Sequence, residues 1–91
     1  MIKTFAHKGL KRFFEKGDKS GINPHHEKKI RFQLDRLFAC TKANDMDIEN
    51  LGFKKLKGCK HTYQTDINGP WRLRFVFRSG NAYDVDYGQW H

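Results

Sequence analysis

Two neighbouring stretches near the C-terminus alternate between apolar and polar residues, and this alternation constrains the fold most. Residues 71–78 read Trp-Arg-Leu-Arg-Phe-Val-Phe-Arg, with an apolar residue at every odd position and arginine at three of the four even ones. Residues 82–87 read Ala-Tyr-Asp-Val-Asp-Tyr. A period of two residues is typical of a β-strand whose two faces differ in polarity. The two stretches, joined by Ser-Gly-Asn, therefore predict a β-hairpin.

The register of this hairpin follows from the need to bury both apolar sets on one face. If the odd residues of both stretches share that face, residues 79–81 form a three-residue loop in which Asn81 takes the positive φ. Phe77 then faces Tyr83 across the ladder. The opposite face is polar and carries the arginines.

The polar face brings arginine close to the end of the chain. The predicted register places Arg74 opposite Asp86 and Arg72 opposite a glycine, so that Arg72 has no acidic partner within the hairpin. A preceding strand that sets Asp66 beside Arg72 would give the arginine a structural salt bridge instead. An unpaired Arg72 next to the terminal His91 would suit phosphodiester cleavage, which is the functional hypothesis that the hairpin supports.

The charge balance favours a polyanionic partner. Eighteen Lys and Arg residues against ten Asp and Glu give a formal net charge of +8. Residues 53–78 alone hold seven of the cations and one of the anions. A solvated surface that only maintains solubility is the alternative. The recurrence of cations on one side of a strand favours an anion-binding face.

The length and the hydropathy pattern predict one small domain, residues 1–91. No apolar run approaches the roughly 20 residues that span a bilayer, so we expect no membrane segment and a cytoplasmic protein. The cysteines and histidines do not have the spacing of a metal site, and no metal is expected.

Helical periodicity predicts two helices in the N-terminal half, after a short first strand at residues 2–5. The first helix spans His7–Lys16, and its apolar residues recur at three and four positions. The second helix begins with Asn23 as N-cap and Pro24 at the first helical position, and it runs to about Thr41. Its first-turn histidines, at positions 25 and 26, are expected to be exposed.

The remaining elements complete an antiparallel sheet. A lysine-rich loop at residues 53–58 leads to a strand at Thr62–Ile67, which precedes the hairpin. The predicted fold class is α+β, a small antiparallel sheet with the two N-terminal helices packed on one face.

The order of elements and several short motifs resemble the HigB toxins of the RelE superfamily, also called plasmid maintenance killer proteins. The shared motifs are the start Met-Ile-Lys-Thr-Phe-Ala-His-Lys-Gly-Leu-Lys, Phe-Glu-Lys-Gly at 14–17, Leu-Lys-Gly at 56–58, Trp-Arg at 71–72 and the ending at 82–91. Together they cover essentially the whole chain. The resemblance implies the RelE-like microbial RNase fold and a bacterial type II toxin that cuts mRNA in the ribosomal A site without a metal or other cofactor.

The resemblance also implies partners. They are an antitoxin of HigA type with a helix-turn-helix domain, the ribosome and mRNA. Operator DNA would be bound only through the antitoxin, and no membrane is involved.

By position, the resemblance implies three catalytic residues: Lys57, Arg72 and His91. Two departures stand beside them. The family often has a histidine in the loop before Leu-Lys-Gly, where this chain has Lys54 and Lys55, and its tail usually reads Asp-Tyr-His, where this chain has Gln89 and Trp90 before the histidine. The residues to which the family's pattern would assign a general base are therefore replaced in this chain.

Metal-free RNA cleavage needs a base for the 2′-hydroxyl, cations for the phosphorane and an acid for the leaving oxygen. We expect His91 to act as acid or base and Arg72 and Lys57 to stabilise the transition state. RNA contacts are expected from Lys54, Lys55, Arg74, Arg78 and Trp90, with Trp90 as a stacking platform. The competing functions are a non-catalytic RNA- or ribosome-binding module and an inactive toxin homologue retained for antitoxin binding.

Overall fold

The computed structural model describes residues 1–90, and His91 lies outside the described residues. Two α-helices precede a four-stranded antiparallel sheet of order β1-β2-β3-β4, which confirms the predicted α+β class. The elements are α1 Lys8–Lys16, α2 Glu27–Ala39, β1 Lys54–Lys55, β2 Thr62–Asn68, β3 Trp71–Arg78 and β4 Asn81–Gln89. Two 3₁₀ turns, Pro24–His26 and Ala43–Met46, flank α2.

Helix α1 has the boundaries that its sequence predicts, to within one residue. The Nδ1 atom of His7 accepts a hydrogen bond from the backbone N–H of Leu10 at 3.0 Å and caps the helix start. Gly17 ends the helix with a φ of 71°, in the left-handed region that glycine adopts without strain. Leu10 and Phe13 are buried against the rest of the core.

Helix α2 begins about one turn after Asn23, the residue predicted as its N-cap. The Asn23 side chain accepts a hydrogen bond from the backbone N–H of His25 at 2.9 Å, as predicted for an N-cap, but the residues after it form a 3₁₀ turn that continues into α2. The helix ends at Ala39, two residues before the predicted end. Its apolar stripe, Ile30, Leu34 and Leu37, is fully buried, and each such side chain contributes about 1.5–3 kcal/mol.

One face of the sheet is covered and the other is open. The helices and the covered face share one hydrophobic core, to which the sheet contributes Ile67, Leu73, Phe75, Phe77, Val85 and Tyr87. The even-numbered residues of β3 point to the other face, because neighbouring residues of a strand alternate. The predicted packing of both helices on one face is confirmed.

The hairpin turn is shorter than predicted. Ser79 and Gly80 both have positive φ, 52° and 78°, and form a two-residue turn of the kind that matches strand twist. The ladder therefore pairs Phe77 with Ala82, and the predicted three-residue loop and the Phe77–Tyr83 pair are wrong. A bulge at Asp84, with a φ of 51°, restores the predicted register beyond it.

The N-terminal residues do not form the predicted continuous strand. They run parallel to β4 and make two isolated bridges, Ile2 with Ala82 and Phe5 with Val85. Between these bridges the hydroxyl of Thr4 accepts a hydrogen bond from the backbone N–H of Asp84 at 2.8 Å. The β4 bulge interrupts the ladder here, so a regular strand does not form.

Candidate active site

A row of four polar residues crosses the open face of the sheet. The ladders pair Lys54 with Gln64, Gln64 with Arg74, and Arg74 with Asp86, so one residue of each strand lies at the same level. The short strand β1 lies within the predicted lysine-rich loop, and its first residue opens the row. Consequently Lys54 and Arg74, which are 20 positions apart in sequence, belong to one surface.

Two contacts orient the side chain of Arg74, the β3 residue of this row. Its Nε donates a hydrogen bond to Oε1 of Gln64 at 2.9 Å, and its guanidinium carbon lies 4.3 Å from the ring centroid of Trp90. Although Asp86 is opposite, its Oδ1 accepts a hydrogen bond from the backbone N–H of Tyr87. Within residues 1–90, the ion pairs do not include one between Arg74 and Asp86.

Trp90 lies on the open face and is fixed at both backbone and ring. Its backbone N–H donates a hydrogen bond to the carbonyl oxygen of Pro70 at 3.0 Å. The indole rests over Gly88, where a Cβ atom would approach Cη2 of the ring to 3.3 Å. The side chain is half-buried. Trp90 is thus neither a core residue nor a frayed end, and the chain terminus is directed along the open face up to residue 90.

Arg72 occupies the next row and is ion-paired. Its Nε lies 3.1 Å from Oδ1 of Asp66, the residue opposite it on β2, and its terminal nitrogen donates hydrogen bonds to the carbonyls of Gly69 and Trp71. The Arg72 side chain is 22% exposed and that of Asp66 51%. The hypothesis of an unpaired Arg72 is wrong. The salt bridge is formed because β2 supplies the acid that the hairpin lacks.

Lys57 lies near the opposite end of the sheet from Arg72. The backbone N–H of Leu56, in the loop after β1, donates a hydrogen bond to the carbonyl oxygen of Thr62 at 2.9 Å. Thr62 pairs with Val76, so this loop lies beside the end of β3 that is farther from Arg72. Val76 lies four positions after Arg72 on β3, which corresponds to about 13 Å. This loop lines an open depression of about 540 Å³, formed by Lys55, Leu56, Lys57, Gly58, Cys59 and Lys60.

The other predicted RNA-contacting cations are distributed along the sheet. Lys55 pairs with Tyr63 rather than with a residue of the polar row, and it therefore points away from the side that Lys54 faces. Arg78 is exposed at the far end of β3, with its guanidinium carbon 4.3 Å from the ring centroid of Tyr83. The structure thus gathers Lys54, Arg74 and Trp90 on one part of the open face. His91 lies outside the described residues.

Comparison with known proteins identifies the family. The family model described as the RelE-like toxin of the type II toxin-antitoxin system HigB matches residues 3–91. The chain belongs to the HigB-like toxin family. Among curated proteins, Endoribonuclease HigB of Proteus vulgaris is 34% identical to this toxin over 92 residues, with 100% of both chains covered.

The toxin contains a buried histidine that the sequence reasoning missed. His26 was expected to be exposed, but it is only 2% exposed, and its Nδ1 lies 2.6 Å from the hydroxyl oxygen of Tyr87. Burial lowers the pKa of His26, with smaller contributions from the charges of His25 and Lys29. The missed signal was spacing, because His26 lies four positions before Ile30, at the start of the buried stripe of α2.

This cluster supports the strand that carries Arg72. The Trp71 ring stacks on Tyr87 with centroids 5.0 Å apart and meets His26 edge-on at 5.2 Å. Trp71 therefore closes the core directly beside the open face. In the described part of the toxin, no three His, Cys, Asp or Glu side chains form a group that could hold a metal ion. Nor does any helix of residues 1–90 have the length and apolar content needed to cross a membrane.

Proposed function

We propose that this HigB-like toxin is an endoribonuclease that cuts mRNA on the ribosome without a metal and thereby inhibits translation. The full-length similarity to Endoribonuclease HigB of Proteus vulgaris supports the reaction class. The observation that carries the proposal is the position of Trp90. Its ring lies on the cationic open face, against Arg74 and above the row of Arg72, so the C-terminal segment runs beside the guanidinium groups.

The proposed reaction uses the 2′-hydroxyl of the RNA as nucleophile. The 2′-oxygen attacks the adjacent phosphorus while a base takes its proton, the bond from phosphorus to the 5′-oxygen breaks, and an acid protonates that oxygen. We assign His91 as acid or base, since histidine titrates near neutral pH. Arg72 supplies positive charge to the phosphorane. We also assign Lys57 to this phosphate, and because the loop after β1 lies about 13 Å from Arg72 along the strand, the phosphate has to lie between the two side chains.

The remaining cations bind the RNA strand in this proposal. Lys54 and Arg78 neutralise phosphates on the open face, and Lys55 does so from the depression that it lines together with Lys57. Such contacts are largely independent of sequence. The exposed part of the half-buried Trp90 side chain stacks on a base of the single-stranded message. The substrate would be presented in the ribosomal A site.

The family supports an antitoxin partner, since it consists of toxins of type II toxin-antitoxin systems. We propose that this partner is of HigA type with a helix-turn-helix domain, and that operator DNA is bound only through it. Because its proposed substrate is ribosome-bound mRNA, we also propose that the toxin acts in the cytoplasm.

Cleavage of ribosome-bound message in a translation extract tests the proposed activity. Mapping RNA ends should detect cuts with the wild-type toxin. Lys57→Ala, Arg72→Ala and His91→Ala should each lower the rate about 100- to 1,000-fold, the usual loss when a transition-state contact is removed. The matched control is Lys11→Ala, which removes an equal charge from the exposed surface of α1 and should cut normally. Ribosome binding without cleavage by the wild type would contradict the proposal.

The ion pair of Arg72 favours a second candidate function. Because Asp66 holds the guanidinium at 3.1 Å, and Lys54 stands where the family often has a histidine, the chain is also compatible with an inactive toxin homologue retained for antitoxin binding. That candidate predicts tight antitoxin binding and no growth arrest when the toxin is expressed alone.

A further inference from the structure

The guanidinium of Arg74 contacts the side chain that ends the described chain, rather than an acidic partner. We propose that Arg74 is a positioning residue, which holds the Trp90 indole flat on the open face as a stacking platform for an RNA base. This inference rests on the proposed function for its RNA ligand. It replaces the expectation that Arg74 binds a phosphate directly.

Three contacts from three parts of the chain fix the indole. The carbonyl of Pro70 accepts the backbone N–H of Trp90, the backbone of Gly88 lies beneath the ring, and the guanidinium of Arg74 lies 4.3 Å from the ring centroid. Of these three contacts, only the guanidinium comes from a side chain. A substitution of Arg74 therefore removes one contact to the indole without disturbing the backbone.

Arg74 is itself oriented from beneath. Its Nε donates a hydrogen bond to Oε1 of Gln64. Gln64 is only 5% exposed, so this acceptor has little access to water. This bond fixes the plane of the guanidinium. A planar group with a fixed plane can stack on an indole, whereas the ammonium of lysine offers neither the plane nor the Nε donor.

The Trp90 side chain is half-buried, so part of its surface is open to solvent. Gly88, under the ring, is the β4 partner of Arg72. A base that stacks on Trp90 would thus lie beside the row that holds Arg72. Stacking tolerates every base because each presents a π-face, so the subsite should accept any nucleobase of a single strand.

The first test measures the position of the indole in the protein without RNA. The two tryptophans are labelled with 5-fluorotryptophan, and the ¹⁹F signal lost in Trp90→Phe is that of Trp90. Arg74→Lys should move this signal toward the position of solvent-exposed 5-fluorotryptophan and leave the Trp71 signal in place. Arg78→Lys is the matched control, because it removes a guanidinium stacked at the same distance on Tyr83, and the Trp90 signal should not move.

The second test is a double-mutant cycle on cleavage of ribosome-bound message. Arg74→Lys should lower the cleavage rate about fivefold, the order expected for a lost cation–π contact, and Trp90→Ala should lower it at least as much. Because Arg74 acts through Trp90, adding Arg74→Lys to Trp90→Ala should cause no further loss. Independent, multiplying effects would overturn the positioning role and indicate a direct phosphate contact. So would a Trp90 ¹⁹F signal that Arg74→Lys leaves unmoved.

The two tests separate this proposal from the proposed function. If the wild-type toxin does not cleave message, the nuclease assignment fails, but the ¹⁹F spectra still decide whether Arg74 holds Trp90. If cleavage is intact and the cycle is additive, the nuclease assignment stands and the positioning role fails.

Discussion

The hydroxyl oxygen of Tyr87 lies 2.6 Å from Nδ1 of His26, inside the core and 61 positions away in sequence. This hydrogen bond connects the 3₁₀ turn before α2 with the end of the hairpin that is farther from its turn. Trp71 packs against both rings, and Arg72 follows it on the open face. The stability of the core and the placement of the candidate active site therefore depend on the same cluster.

The cluster predicts that stability falls with acidity. Burial holds the pKa of His26 below its ordinary value, which is about 6.5. Above that value His26 is neutral in both states and its contribution is complete. As the pH falls below it, the unfolded chain binds a proton that the folded chain rejects, so the free energy of unfolding decreases down to the lowered pKa.

His26→Gln tests this pH dependence. Urea unfolding should show that the free energy of unfolding of the wild type falls between pH 8 and pH 5. His26 should contribute at most about 1.4 kcal/mol per pH unit to this fall. His26→Gln should be less stable at pH 8, because the ring is buried, and should have a flatter pH profile. An identical profile in His25→Gln and His26→Gln would contradict the assignment, since His25 is exposed.

The ion pair between Asp66 and Arg72 predicts a difference between two variants. Asp66→Asn should lower the free energy of unfolding by less than about 1 kcal/mol, because the pair is partly exposed. It should retain most of the cleavage rate, since Arg72 keeps its hydrogen bonds to the carbonyls of Gly69 and Trp71. Arg72→Ala should lose cleavage. If both variants lose cleavage equally, Arg72 has only a structural role.

Close approach of two glycines predicts a strongly destabilising substitution. A Cβ atom on Gly21 would lie 2.5 Å from the Cα of Gly9, so the loop before α2 cannot stay against α1 if it carries a side chain. Gly21→Ala should lower the free energy of unfolding by about 1–3 kcal/mol. Denaturant titration measures this change. Unfolding curves that coincide for the two proteins would show that the loop moves away at no cost.

The lysine-rich loop at residues 53–58 predicts how the affinity for RNA depends on salt concentration. If Lys55 and Lys57 contact phosphates, replacing either by Gln should reduce the slope of log affinity against log salt for single-stranded RNA by about 0.7. Titrations at several salt concentrations measure the slope. Lys11→Gln, on the exposed surface of α1, should leave it unchanged. Equal slopes for all three variants would assign the loop to general solubility.

The elements with a clear period or cap could be predicted from the sequence. The alternation at residues 71–78 defined β3, and Gly17 defined the end of α1. The turn at Ser79 could not be predicted, because its φ of 52° is unusual for serine and the compensating bulge lies at Asp84. The two-residue strand at Lys54 has no apolar pattern, since both of its residues are exposed.

Side-chain partners were less predictable than strands. The sequence left two roles open for Arg72, and the choice depended on the β2 register that sets Asp66 opposite it. The anchoring of Trp90 depends on a carbonyl, a glycine and the plane of Arg74, none of which has a periodic signature. His26 could have been found from its spacing to Ile30.

The most direct test of the central claim uses ribosomes programmed with a message that carries a single 2′-deoxynucleotide at the mapped cut site. If the RNA supplies its own nucleophile, the wild-type toxin should cut the all-ribose message, leaving a 2′,3′-cyclic phosphate and a 5′-hydroxyl, and should spare the substituted bond. Cleavage of the deoxy-substituted bond at the same rate, or fragments that end in a 3′-hydroxyl, would contradict the proposed mechanism.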